Sequence, residues 1–214
     1  MEKKAILFDL DGTLTDSGEG IMKCAKMTLE HYGIPVPDIQ ALRVFVGPPL
    51  HDMFVKFGIP EEKTDEAVAI YRSRYVTKGK FENTPYPGMI PTLEKLRDAG
   101  FDLYVATSKP EAVSKEILAH FDMAKYFTLI CGASLDKSRT SKESVIAYLL
   151  EQIGKDAKMV MVGDTAFDVI GAAHHGIPAI GVAWGYGSVE EMTDAGAVAI
   201  ARDAHHLYEL LMKE

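Results

Sequence analysis

The residues with the most chemistry to offer stand at the ends of apolar runs. Asp9-Leu10-Asp11-Gly12-Thr13 follows Ala5-Ile6-Leu7-Phe8. Thr107-Ser108 closes a run that begins near Asp102, and a polar stretch after Cys131 leads to Lys142. Gly163-Asp164-Thr165 closes the run Met159–Val162, with Asp168 one turn further on. In open parallel sheets, ligands bind beyond the carboxyl ends of the strands, so these four places are expected to meet. Carboxylates that converge there repel one another and call for a cation. Oxygen-only ligands favour magnesium over zinc or copper, and no Cys–His cluster lies beside these runs. Hydroxyls and a compact ammonium such as Lys142 can hold phosphate oxygens. An ionised carboxylate facing phosphorus can act as a nucleophile and form an aspartyl-phosphate. A second carboxyl two residues away can protonate the leaving oxygen and later activate water. Gly12 permits the tight turn that such a pair requires.

These residues need a sheet to position them. Ala5–Phe8 reads as a fully buried strand of a parallel sheet. Ser17 to about Tyr32 has apolar residues at helical spacing, with Gly33 as a stop. Shorter helical patterns follow around 39–44 and 50–57, and a longer one runs over 61–78, with no convincing strand from Ser17 to Phe81. Thr84-Pro85-Tyr86-Pro87-Gly88 then punctuates the chain. Beyond it, helix and strand alternate: helices over 89–99, 110–121, 142–152, 168–175, 189–195 and 204–212, strands over 102–107, 127–131, 159–163, 178–182 and, weakly, 198–200. Such alternation predicts an α/β fold, a Rossmann-like doubly wound parallel sheet with helices on both faces. The expected organisation is a core of residues 1–15 and 83–214, with a helical cap of residues 16–82 inserted after the first strand.

Bulk properties bound the function. In 214 residues, 47% hydrophobic and 25% charged, a real core can be buried. The net charge of -8 argues against a nucleic-acid partner, though a local site on an acidic protein can still attract an anion. Two distant cysteines without CxxC spacing read as reduced thiols. The apolar run at residues 5–8 is too short for a signal-peptide core, and no stretch approaches the roughly 20 apolar residues that span a bilayer. The expectation is a cytoplasmic protein, monomer or homodimer, with no membrane partner.

The motifs resemble those of the haloacid dehalogenase superfamily. Asp9-Leu10-Asp11-Gly12-Thr13-Leu14 with Asp16-Ser17 is similar to its first motif, Thr107-Ser108-Lys109 to its second, Lys142 to its third and Gly163-Asp164-Thr165-Ala166-Phe167-Asp168 to its fourth. The resemblance implies Asp9 as nucleophile and Asp11 as general acid/base. It implies magnesium held by Asp9, the Asp11 backbone carbonyl and Asp164, with Asp168 supporting the metal or Lys142 and Thr13 in support. Thr107 or Ser108, with Lys142, would hold the phosphoryl group. The helical insertion resembles the C1 cap of the phosphoglycolate phosphatase branch, and Gly47 in the Gly47-Pro48-Pro49 break would be a backbone contact to substrate. The implied core strand order is 3-2-1-4-5. An aspartate at position 11 favours phosphate esters over carbon–halogen or carbon–phosphorus bonds. The expected activity is hydrolysis of a small phosphorylated metabolite, phosphoglycolate or a nucleoside 5'-monophosphate. A sugar-phosphate mutase is the alternative, and a phosphorylation switch stands behind it.

Plainer readings accompany several residues. Asp168 can serve as a helix N-terminal carboxylate, and Thr107 and Ser108 can cap the helix after Pro110. Lys137 and Arg139 read as surface charges, although Arg139 could reach a substrate. Adjacent residues on a helix do not face one another, so His174-His175 and His205-His206 read as structural. Trp184 with Gly185, Tyr186 and Gly187, following a strand end, reads first as loop packing and second as the rim of a site. Arg43, Lys56, Arg72, Arg74 and Lys78 read as solvated helix faces or as the rim of a site.

Overall fold

The computed structural model describes residues 4–136, 138–154 and 157–213. The chain runs β1 (Lys4–Phe8), β2 (Thr15–Asp16), α1 (Gly18–His31), α2 (Leu50–Lys56), α3 (Thr64–Tyr75), β3 (Thr84–Pro85) and α4 (Met89–Asp98). It continues with β4 (Asp102–Pro110), α5 (Glu111–His120), β5 (Leu129–Ala133), α6 (Lys142–Ile153), β6 (Lys158–Gly163), α7 (Ala166–Ala173), β7 (Ala179–Val182), α8 (Val189–Asp194), β8 (Ala199–Ala201) and α9 (Ala204–Met212). Two compact units result, one from the residues up to Thr15 and from Pro85 onward, the other Asp16–Thr84. The chain leaves the first unit through β2 and returns through β3, and these two short strands pair.

The first unit is built on a six-stranded sheet of order β5-β4-β1-β6-β7-β8, parallel throughout. Counting its own strands alone, that is 3-2-1-4-5 with a sixth strand at the edge, in agreement with the expected doubly wound fold. Side chains alternate across a strand, so β1 feeds both faces. Ile6 and Phe8 join Leu103, Val105, Val160, Val162, Ile180 and Val182 on one face, against Leu93 and Leu96 of α4 and Leu207 and Leu211 of α9. Ala5 and Leu7 join Tyr104, Ala106, Met159 and Met161 on the other, against Val145, Ile146 and Leu149 of α6 and Val169 and Ala172 of α7. A strand buried on both faces must be apolar at every position, which is why Ala5–Phe8 does not alternate. No helix among the described residues is long and apolar enough to cross a membrane.

Several boundaries differ from the sequence reading, β5 among them at Leu129–Ala133 in place of 127–131, and two have plain physical reasons. β4 runs on to Pro110, with a register shift between Ala106 and Pro110 on β5. Its polar tail keeps pairing after the apolar run has ended, and the irregularity falls on Thr107-Ser108-Lys109. Helix α7 starts at Ala166 because Thr165 is its cap, in a capping box with Asp168.

The second unit has only helices between its two connecting strands. The pattern over 61–78 divides into a 3-10 turn, Glu61–Lys63, and α3. The 39–44 pattern forms a 3-10 helix, Ile39–Phe45, opened by Asp38, whose side chain accepts from the Gln40 N–H. Its core is aromatic: Phe45 lies 5.3 Å from Phe54, Phe54 6.3 Å from Tyr71 and Tyr71 5.4 Å from Tyr75, between ring centroids. Arg74 does not sit on a solvated face. Its guanidinium donates to both oxygens of Glu82, at 2.7 and 3.0 Å, and to Cys24 Sγ at 3.2 Å.

Arg74 holds the Glu82 carboxyl below its ordinary range. A lowered folded-state value contributes stability that is present above the unfolded value and lost as pH falls through the folded one. Glu82→Gln is therefore expected to cost about 1 kcal/mol near neutral pH. Urea melts of both proteins should converge as the acid range is entered, and a pH-independent gap would deny the pair this role.

Candidate active site

Asp9 is the first residue past β1, and its N–H still pairs with the Val162 carbonyl at 2.9 Å. The chain then curls. The Leu10 carbonyl accepts from the N–H groups of Thr13, Leu14 and Thr15, and Gly12 takes a left-handed φ of +81°. Phe8 is opposite Val162 of β6 and Val105 of β4. That register brings Asp164 and Thr107 beside the Asp9 loop. Lys142 arrives from the first turn of α6, whose start is set by a Ser141–Ser144 capping box.

The four motifs do meet. Lys142 Nζ lies 2.8 Å from Asp9 Oδ1 and 2.7 Å from Asp168 Oδ1, and donates to the Ala106 carbonyl at 2.8 Å. Asp168 faces two ways. Oδ2 accepts from the Thr165 N–H and hydroxyl, at 3.0 and 2.9 Å, while Oδ1 faces Lys142. Asp164 Oδ2 accepts from the Tyr186 N–H at 2.8 Å, and the Thr13 hydroxyl reaches Oδ1 at 3.4 Å. Thr107 is buried, and its side chain stands close enough to Asp9 to pull that carboxyl down slightly. Ser108 is exposed, and neither residue caps α5, whose N-cap is Pro110.

The electrostatics are severe. Asp9, Asp164 and Asp168 are all buried, with one carboxylate oxygen of each within 4.8 Å of the others. Burial, and then the negative charge of Asp168, push the Asp9 carboxyl up to about 6 against the pull of Lys142. Burial, Asp168 and Asp9 push Asp164 up to about 8. Burial alone would lower Lys142, but Asp168 and Asp9 hold it above its ordinary value. Lys142 is one ammonium against three carboxylates. Asp9 Oδ1 and Asp168 Oδ1 accept no well-directed hydrogen bond, so both keep lone pairs to offer. This all-oxygen, net-negative, buried donor set fits a small divalent cation such as magnesium.

Two sets of contacts were not foreseen from the sequence. Lys109 is buried, and its ammonium pairs with Asp11 Oδ2 at 2.5 Å. It stands two residues after Thr107, the period of a strand, but the expected strand ended at Thr107. The second is the segment Trp184–Gly187 after β7, which supplies the Tyr186 N–H to Asp164 and the Trp184 indole N–H to the Thr13 carbonyl at 3.1 Å. Backbone donors leave no signature in side-chain types, although two glycines around Tyr186 hint at a close approach. Trp184 also packs on the core beside Tyr86.

The remaining candidates resolve simply. Arg139 is committed to Glu111 at 2.9 Å and to the Gly132 carbonyl, with its guanidinium 3.7 Å from the Tyr148 ring centre. His175 bonds to the Glu143 carbonyl, His174 faces the Glu143 carboxylate, His205 faces Glu209 and His206 lies by Arg202. Gly47 belongs to the helical unit and has φ +103°. Lys137 lies outside the described residues.

The sequence pattern described as haloacid dehalogenase-like hydrolase matches residues 6–182. A 5'-nucleotidase of Pseudomonas aeruginosa is 43% identical over 189 residues, 87% of this chain and 86% of that protein. Tyrosine-protein kinase PtkA of Mycobacterium tuberculosis is 42% identical over 209 residues, 96% of this chain and 72% of that protein. The crystal structure of a predicted phosphatase from Clostridium acetobutylicum superposes with a TM-score of 0.92 at 44% identity, covering 100% of both chains. With its motifs at adjoining strand ends and a family match over most of its length, this chain belongs to the haloacid dehalogenase-like hydrolase family.

Proposed function

We propose that this hydrolase is a magnesium-dependent phosphatase that cleaves a small phosphomonoester through an aspartyl-phosphate on Asp9. One observation carries the reading: a buried aspartate beside a buried lysine, with two more carboxylates in reach, at the mouth of a parallel sheet. Asp9 attacks phosphorus, and the ester oxygen leaves with a proton from Asp11. Water then gives a proton to Asp11 and attacks the aspartyl-phosphate, releasing phosphate and restoring Asp9. Lys142 and Thr107 hold the phosphoryl oxygens, with the exposed Ser108 the lesser candidate. Magnesium, held by Asp9, the Asp11 carbonyl and Asp164, supplies the positive charge that lets an anionic ester approach three carboxylates. Asp168 keeps Lys142 aimed, and Thr13 supports Asp164.

The Asp16–Thr84 unit takes the part of the cap, with the Gly47 loop as its contact to substrate. Phosphoglycolate and nucleoside 5'-monophosphates are the favoured substrates. Relatives named for each support this: the 43%-identical 5'-nucleotidase, and a phosphoglycolate phosphatase of Aquifex aeolicus at 30% identity. Two buried free thiols support work in a reducing cytoplasm. The likeness to PtkA favours a second reading, transfer of the phosphoryl group to a tyrosine hydroxyl in place of water. Incubation with ATP and a tyrosine peptide tests it, and stable phosphotyrosine would install it.

Asp9→Asn is expected to abolish phosphate release with the circular dichroism spectrum unchanged, and wild-type turnover would remove the nucleophile assignment. Chelation of magnesium should stop the reaction and its return should restart it. A rate indifferent to chelator would remove the metal. Lys109→Met should free the Asp11 side chain and lower kcat by about tenfold or more, with KM little changed, since general acid–base catalysis commands at least two orders of magnitude. An unaltered kcat would make the Lys109–Asp11 pair incidental.

A further inference from the structure

The segment after β7 encloses Asp164 more closely than packing alone demands. A Cβ on Gly185 would sit 2.2 Å from Asp164 Cβ and 2.6 Å from the Gly12 carbonyl, and one on Gly187 would sit 2.1 Å from the Asp164 carbonyl. No side chain fits at either position, so both must be glycine for the segment to lie where it does. Between them the Tyr186 N–H is delivered to Asp164 Oδ2 at 2.8 Å. One residue earlier, the Trp184 indole N–H holds the Thr13 carbonyl at 3.1 Å, and the Thr13 hydroxyl reaches Asp164 Oδ1 at 3.4 Å. Trp184, Thr13, Asp164 and Tyr186 thus form a closed circuit that joins the loops after β1, β6 and β7.

The two oxygens of Asp164 are treated unequally. Oδ2 has a short, well-placed backbone donor. Oδ1 has only a long hydroxyl contact among the described residues and is the oxygen free to meet a cation. Magnesium demands near-octahedral geometry and takes carboxylates through one oxygen. Calcium accepts six to eight ligands in looser shells and often takes both oxygens of one carboxylate. We propose that the Trp184–Gly187 segment restricts Asp164 to a single-oxygen contact and thereby sets a preference for magnesium over calcium. The proposal rests on the reading of Asp164 as a metal ligand. The segment acts through Asp164, as a positioning element.

Direct calorimetric titration with magnesium and with calcium separates the possibilities without recourse to activity. Three proteins are compared: wild type, Gly187→Ala, which pushes the segment off Asp164, and Trp184→Phe, which keeps a ring in the packing but removes the donor to Thr13. Outer ligand-orienting contacts are worth about 10- to 100-fold in metal affinity. Magnesium binding is expected to weaken by about tenfold in the variants, with calcium binding changed by less than about threefold, so that the magnesium-to-calcium ratio collapses. If Gly187→Ala fails to fold by circular dichroism, Trp184→Phe decides alone. Equal weakening of both ions, or unchanged affinities in a folded variant, would overturn the selectivity role while leaving the metal site in place. Wild-type protein that binds neither ion would overturn the metal assignment itself, and this inference with it.

Discussion

Everything in the first unit turns on one electrostatic constraint: Asp9, Asp164 and Asp168 share a buried corner with a single ammonium, Lys142. Separate carboxylates in such a place would protonate or drag water in. Burial first, and then the neighbouring negative charges, displace Asp9 and Asp164 upward. Each neighbouring element can be understood as a response to it. β1 and β6 run side by side, so Asp9 and Asp164 emerge together. The first turn of α6 places Lys142, and the α7 capping box uses one oxygen of Asp168 while turning the other to that lysine. Lys142 also spends a proton on the Ala106 carbonyl, which ties the charge cluster to β4. The remaining negative charge is one that a bound cation can balance.

What could be read in the sequence follows from how locally each feature is encoded. An apolar run that ends abruptly in a carboxylate announces a buried strand delivering a charged group, and Asp9 and Asp164 are both of this kind. Alternating helix and strand from Gly88 onward announces the parallel sheet, since each crossover needs its own helix. Lys142 was legible because it opens an amphipathic helix. Lys109 was not, because the polar tail of β4 continues a strand only through its pairing with β5, a contact far off in sequence. The Tyr186 contact was illegible for a deeper reason: its donor is a peptide N–H, which every residue but proline carries. Only the glycines on either side of it depart from the ordinary, and glycine has many other uses.

The helical unit shows the same limits. Its helices were visible as apolar spacing, but the split of the 61–78 pattern into a 3-10 turn and α3 depends on local bonds such as Thr64 Oγ1 to the Glu61 carbonyl. Arg74 looked like any basic residue on a helix. Its commitment to Glu82 and Cys24 is a matter of tertiary geometry, which spacing does not reveal. Charge at the surface of a helix is therefore a poor guide to a buried cluster, whereas charge at the end of an apolar strand is a good one.

The central claim is that Asp9 carries the phosphoryl group. Borohydride reduces an acyl phosphate to an alcohol, so quenching the enzyme during turnover of a phosphomonoester should convert Asp9 to homoserine. Peptide mass analysis after digestion locates the change. The account predicts homoserine at position 9, dependent on substrate and absent from Asp9→Asn. An unmodified Asp9 in enzyme quenched at full turnover, or reduction at another aspartate, would contradict it.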